Sequence, residues 1–432
     1  MEVIIVCYHF LLNKFKSAMI LRIFSYTALS TLVRMLTGLI SVKVVASIIG
    51  SSGVALLGQL RNFSSIAMTL SSGGINNGIV KYVAEYKDSE DRLKMFLSTA
   101  FRITIICSVT VGLLMIVCHR FFSNYIMLSS EYDYVFIIFG CTILFYALNM
   151  MLVSVLNGYK EFKKYVVINI AGSITGLIFT VAFVYLMGLK GALMSAVTYQ
   201  SVILFVTCWM VRKCPWLSWS YFKYKFDALV AKKYIRYTMM TLVSAATVPV
   251  TQMLLRGYVI SHLSSIEAGW WEGMNRISAM YLMIITSSFG VYYLPRLSEL
   301  TDRLEISKEI RKAYKIIIPV LLIGIITIYS LRYFIIRILF TADFLPMENL
   351  FIWQLLGDFF KICSWLLAFL MVAKSMMKLY VITEIIFSLT FLLLGIIFIH
   401  SFGIVGTVYA YLVNYIVYMM GMFLLFKTFL IK

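Results

Sequence analysis

Between Arg61 and Lys81 lie 19 residues without a charge, and a second uncharged run of 19 residues lies between Arg276 and Arg296. At ~1.5 Å of rise per residue, each run is long enough to cross a hydrocarbon core roughly 30 Å thick. The first run is not uniformly greasy, because Ser64, Ser65, Ser71, Ser72, Gly73, Gly74, Asn76, Asn77 and Gly78 crowd it. Polar and helix-loosening residues persist in lipid only where protein or a water-filled cavity satisfies them. This helix is therefore expected to face a cavity.

The two runs belong to a longer pattern. Gly58, Arg61 and Lys81 map onto Gly273, Arg276 and Arg296 at one offset of 215 residues. The same offset aligns residues 163–191 with 378–406, where ten positions are identical, among them Tyr165, Ser173, Phe183, Gly188 and Gly191. Twelve apolar runs of spanning length occur, near 24–48, 56–80, 97–118, 134–156, 166–187 and 191–211, then near 238–260, 269–295, 314–334, 349–373, 380–400 and 404–426. With 62% hydrophobic and 13% charged residues, the chain exceeds what a soluble domain of about half apolar and a quarter charged residues can bury. The expected fold is an all-α polytopic membrane protein, with about 12 transmembrane helices in two six-helix repeats. Residues 19–211 form the N-lobe, 212–236 a basic aromatic linker and 237–432 the C-lobe. Residues 1–18 read as an extension without the basic start and cleavage site of a signal peptide.

A net charge of +19 would suggest nucleic acid in a soluble chain, but no nucleic-acid motif accompanies it. Here 27 Lys and Arg fall at the termini and in the even-numbered connections, against only Arg120, Lys190, Arg332 and Arg337 in the odd ones. Cytoplasmic loops retain such residues, so both termini are expected in the cytoplasm and the repeats share one orientation. Linker cations interleaved with Trp216, Trp219, Tyr221 and Phe222 are expected in the headgroup layer. The seven cysteines are scattered without CxxC or Cys/His clusters, the four histidines are dispersed, and no Walker A motif occurs. No metal site, no cofactor and no catalytic constellation is expected, so the chain reads as a transporter and not an enzyme.

Charges inside the spans carry the remaining signal. Seven are cations (Arg34, Lys43, Arg61, Arg102, Arg256, Arg276 and Lys361) and three are acids (Glu272, Asp358 and Glu384). At about 2.5 to 3.5 kcal/mol per central charge, that surplus requires water, partners or an anionic ligand. Arg102 lies close enough to an end to snorkel. Lys361, with Asp358 at i−3, fits a structural ion pair as well as a ligand site, and Glu272 with Arg276 at i,i+4 can neutralise each other. Arg34 has no acid within a turn and is expected to line the cavity, as are the repeat equivalents Arg61 and Arg276. Lys43 and Arg256 sit at nearly matching depth but about 200° apart around the helix, so both facings remain open.

Four segments carry a family resemblance: LSTLVRMLTGLISVKVVA (29–46), GGINNGIVKYVAEYKD (73–88), FGVYYLPRLSELTD (289–302) and WQLLGDFFKICSWLLAFLMVAK (353–374). They resemble the Wzx-type flippases for undecaprenyl-diphosphate-linked oligosaccharides, nearest the enterobacterial common antigen and O-antigen translocases. That family belongs to the superfamily of MATE-type exporters and lipid II flippases. The resemblance implies a V-shaped fold in the bacterial inner membrane, alternating access and a cationic interior that accepts a diphosphate. It also implies membrane lipid, a polysaccharide polymerase and a chain-length regulator as partners. By motif position it carries over to Arg34, Lys43, Arg61, Lys81, Asp358 and Lys361. The candidate diphosphate-binding set is Arg34, Lys43, Arg61, Arg256, Arg276 and Lys361, with Lys81, Asp358, Glu272 and Glu384 as candidates for gating or coupling. The alternative is an ion-coupled exporter of small organic molecules, which needs buried carboxylates in the N-terminal lobe, and all three intramembrane acids lie in the second half.

Overall fold

The computed structural model describes the backbone of residues 2–214, 216–289, 293–374 and 376–427. Side chains are described from residue 28 onward, except at 219, 220, 236, 237, 240, 287, 288 and 295. The expected extension, residues 1–18, lies outside the residues with described side chains. Among the described residues no strand occurs. The long helices are α1 (Glu2–Ser71), α2 (Asn76–Tyr86), α3 (Glu90–Val117), α4 (Asp133–Gly158), α5 (Phe162–Val211), α6 (Ala228–His262), α7 (Ser265–Ser288), α8 (Arg303–Ser330), α9 (Phe351–Ala373), α10 (Met377–Phe402) and α11 (Val405–Leu425).

Two of these helices turn back on themselves. α1 breaks at Gly50 (φ 66°) and α5 at Gly188 (φ 58°), so each makes two crossings. A left-handed φ is open to glycine at little cost, which is why the break falls there. Gly403 (φ 61°), 215 residues after Gly188, makes the corresponding turn between α10 and α11. A Cβ at Gly191 would come within 1.8 Å of the Phe183 carbonyl oxygen, and one at Gly406 within 2.1 Å of that of Phe398. The same turn is thus built twice at the same spacing. Among the described residues eight helical stretches are long and apolar enough to cross a membrane. The doubled α1 and α5, together with the more polar α6 and α7, complete the twelve crossings.

Three buried cores give the bundle its shape. The end holding residues 72–90, 159–164 and 212–227 is rich in Lys and Arg and is called here the basic end, opposite the far end. Val42, Val54, Phe136 and Val197 of the first six crossings share one far-end core with Leu255, Trp271, Phe340 and Phe351 of the second six. Toward the basic end the core divides, into one around Phe96, Leu156 and Ile203 and another around Leu297, Leu366 and Met422. Two lobes joined at one end and parted at the other make a V. That geometry follows from packing, since each amphipathic bundle buries its own apolar face.

Two expected segments differ in detail. The run expected at 56–80 ends at Ser71, because Gly73 and Gly74 both take φ above 60° and turn the chain into the separate helix α2. Thr238 Oγ1 donates to the Gly73 carbonyl at 2.7 Å, and a Cβ on Gly74 would lie 3.2 Å from the Thr238 backbone, so the turn is seated on α6. The linker is packed against the first lobe at several points. Trp216 is buried and stacks on Tyr159, and the Tyr224 carbonyl accepts from Ser98 Oγ at 2.5 Å and Arg102 Nη2 at 3.0 Å. α6 begins at Ala228, so the last part of the expected linker is helical.

Candidate functional site

A cavity of about 880 Å³ lies in the V. Both limbs of α1, together with α4 and α5, supply nearly all of its wall, and α7 adds Arg276, Ala279, Met280 and Met283. The polar stripe of the second limb of α1, including Ser64, Ser65 and Thr69, faces it as expected. Among the described residues three cations line the cavity, Arg34, Arg61 and Arg276, and no Asp or Glu does. Arg34 and Arg61 are exposed to the cavity, and among the described residues neither guanidinium has a hydrogen-bond or ion-pair partner. Arg276 is more committed. Its Nε donates to Glu272 Oε1 at 3.0 Å, while among the described residues its buried Nη2 has no acceptor.

Glu272 organises the floor. It pairs on its other oxygen with Arg256 Nη2 at 2.5 Å, and Arg256 Nη1 donates to Gln59 Oε1 at 3.3 Å. Arg256 is 0% exposed and lies over the Trp271 ring. A Cβ on Gly58 would come within 2.6 Å of the Glu272 carboxyl, so glycine there is what lets the carboxylate reach between the lobes. One carboxylate facing two guanidiniums leaves the group with a net positive charge at the cavity floor. Arg61 lies close enough to interact with both Arg276 and Glu272.

The structure does not bring the other candidates to this cavity. Lys43 reaches across the lobes at the far end, where its Nζ donates to the Phe340 carbonyl at 2.8 Å and that of Arg337 at 3.2 Å. These are carbonyls at the C-terminus of helix Arg332–Leu339, a position that favours a cation. Lys81 sits on α2, beyond the Gly73–Gly74 turn, over the Tyr82 ring. Arg256 is enclosed in the ion group just described.

Asp358 and Lys361 form a separate cluster inside the second lobe, and among the described residues they make no direct ion pair. The Tyr411 hydroxyl bridges them, accepting from Lys361 Nζ at 3.0 Å and donating to Asp358 Oδ1 at 2.6 Å. Ser278 donates to Asp358 Oδ2 at 2.7 Å and Tyr281 donates to the same oxygen. The Lys361 ammonium lies over the rings of Trp365, Tyr411 and Tyr415, and Glu384 shares a hydrogen bond with Tyr380 beside it.

Uncharged residues that line the cavity, Tyr146, Asn169, Tyr199 and Gln200, were not singled out by sequence reasoning, nor was Gln59. The signal that could have found the first four is the repeat itself, since Tyr146 and Asn169 stand 215 residues before Lys361 and Glu384.

A family model described as "Polysaccharide biosynthesis protein" matches residues 20–301. The chain belongs to the polysaccharide biosynthesis protein family. Within reach of this family member is a Lipid III flippase of Escherichia coli (strain K12), 29% identical over 405 residues that cover 93% of this chain and 97% of that protein. Among solved structures, an inward-facing multidrug resistance MATE family transporter of the MOP superfamily aligns with a TM-score of 0.74 at 13% identity, covering 92% of this chain and 98% of that one. The lipid II flippase MurJ, inward closed, aligns at 0.72 and 16% identity, covering 94% and 87%. At such identities the likeness is one of fold.

Proposed function

We propose that the protein is a flippase that carries an undecaprenyl-diphosphate-linked oligosaccharide from the cytoplasmic to the periplasmic leaflet of a bacterial inner membrane by alternating access. The observation that carries this reading is the cavity whose described lining holds three arginines and no carboxylate. A diphosphate needs fixed cations along its route, and Arg forks match its oxygens two at a time. An organic cation would meet only repulsion there, which disfavours the exporter alternative. With the basic end in the cytoplasm the cavity opens to the leaflet where the lipid is loaded, and both termini lie on that side. The Lipid III flippase relative, similar along nearly its whole length, supports the same substrate class. The Glu272 group and Lys43, which hold the far end shut, are then the contacts to be broken on opening outward.

The test is restoration of surface polysaccharide in a flippase-deficient cell, with protein abundance measured in the same membranes. Arg34→Gln and Arg61→Gln are expected to lose transport at undiminished abundance, since removing an unpaired intramembrane cation removes its cost of about 2.5 to 3.5 kcal/mol. Arg61→Lys should recover part of it, keeping charge without the fork. Full restoration by a triple Arg34→Gln/Arg61→Gln/Arg276→Gln variant would rule the reading out.

A further inference from the structure

The cavity wall is divided by element. Its cations come from α1 and α7, whereas the described residues of α4 and α5 contribute no charge, and their polar groups include Tyr146, Asn169, Ser173, Thr180, Tyr199 and Gln200. Several of these keep hydrogen-bonding capacity in hand. Among the described residues the hydroxyls of Tyr146 and Thr180 have no protein partner. Asn169 uses one side-chain N–H on the Tyr165 carbonyl at 3.0 Å, which leaves its side-chain oxygen Oδ1. Gln200 Nε2 donates to the Tyr199 hydroxyl at 3.0 Å, so that hydroxyl's hydrogen is turned away from Gln200. The Tyr199 ring itself lies against Gly176, where a Cβ would come within 3.0 Å of two ring carbons. Glycine at 176 therefore seats an aromatic ring against the helix, and Tyr199 lines the same cavity as Arg61.

Half-buried amides and hydroxyls beside aromatic rings, with neither cation nor acid, suit a ligand that is itself uncharged. They also suit one rich in directional donors and acceptors, with apolar C–H faces that can lie on a ring. A sugar has that chemistry, and a second anion or an amine does not. We infer that the α4–α5 wall recognises the first, uncharged sugars attached to the diphosphate and so determines which glycan is carried. The inference rests on the flippase reading above. Tyr199 links the two, since it belongs to the neutral wall yet shares one cavity with the arginine that meets the diphosphate.

Binding to the full-length protein in lipid nanodiscs tests this with two probes, a prenyl diphosphate without sugar and the same lipid bearing an uncharged N-acetylhexosamine disaccharide. Tyr199→Phe and the double variant Asn169→Ala/Gln200→Ala should bind the sugarless lipid as the wild type does. Both should lose the extra affinity conferred by sugar, about tenfold for each pair of buried hydrogen bonds removed. Arg61→Gln should weaken both lipids by the same factor. Tyr199→Phe keeps the ring on Gly176, and its thermal unfolding in the same nanodiscs is expected to match the wild type. Wall variants that weaken both lipids alike, or neither, would overturn the inference. Arg61→Gln without effect on either lipid would instead overturn the flippase reading, independently of what the wall variants do.

Discussion

At equivalent positions the two lobes use the same helices in opposite ways. In the first lobe Tyr146, Asn169, Gly172, Gly176 and Gln200 border open space. At the offset of 215 the second lobe has Lys361, Glu384, Phe387, Phe391 and Tyr415. Phe387 packs on Tyr418 with centroids 4.6 Å apart, Phe391 on Tyr411 at 5.9 Å, and Lys361 lies beneath three rings. What is hollow in one repeat is filled in the other. Two glycines replaced by phenylalanines supply the volume, and the Lys361–Tyr411–Asp358 chain satisfies the polar groups that the filling encloses. A duplicated bundle begins with two equivalent hollows. Filling one converts it into a firm wall against which the other can work.

The sharpest way to break this comparison is to transplant the filling. Gly176→Phe puts the residue found at 391 into the first lobe, where the new ring must displace Tyr199 or project into the cavity. Overpacking of about 1 to 3 kcal/mol leaves insertion possible, so transport should fall to background while abundance holds. Undiminished polysaccharide restoration would show that the hollow is not the cargo site. A smaller effect is expected in the other lobe. Asp358→Asn weakens acceptors for Ser278, Tyr281 and Tyr411 at once, at about 1.5 to 3 kcal/mol for hydrogen bonds to a charged group. Its signature should be a lower unfolding temperature in detergent, with the ratio of transport to abundance unchanged. A fall in that ratio at full stability would give the second lobe a direct part in transport.

The smallest effect concerns the seam between the lobes. Lys43 reaches into the partner lobe, whereas Tyr258, its mate at the repeat offset, stacks on His262 within its own helix. Lys43→Met removes a cation from a helix C-terminus, about 0.3 to 1 kcal/mol. The expected outcome is faster labelling of a Leu57→Cys variant by an impermeant reagent added from the far side. No change would place the closing energy elsewhere, in the Glu272 group.

The spans, the repeat and the cavity-facing positions of Arg34, Arg61 and Arg276 were legible in the sequence because each leaves a mark: an uncharged run, a charge without a neighbouring acid at Arg34, and the repeat offset that links Arg61 to Arg276. Lys43 was not, since its acceptors are backbone carbonyls almost three hundred positions away and carbonyls carry no sequence signature. The bridge at Tyr411 was equally hidden, because one hydroxyl in an apolar helix resembles any other tyrosine. Arg256 and Glu272 lie sixteen residues apart on different helices, so helical spacing could suggest only the Arg276 half of the group. The neutral wall lacked any mark until the repeats were compared position by position.

The cavity without carboxylates has one more consequence. Arg34, Arg61 and the surplus charge of the Arg256–Glu272–Arg276 group cannot stay uncompensated between cargoes in a confined volume, so small mobile anions must collect around them. Loading a diphosphate then becomes an exchange in which those counterions return to bulk, and its strength falls as salt rises. After the lobes swing over, the emptied arginines refill from the ions of the opposite compartment, so the two faces of the membrane enter the cycle through their ionic composition as well as through the concentration of cargo.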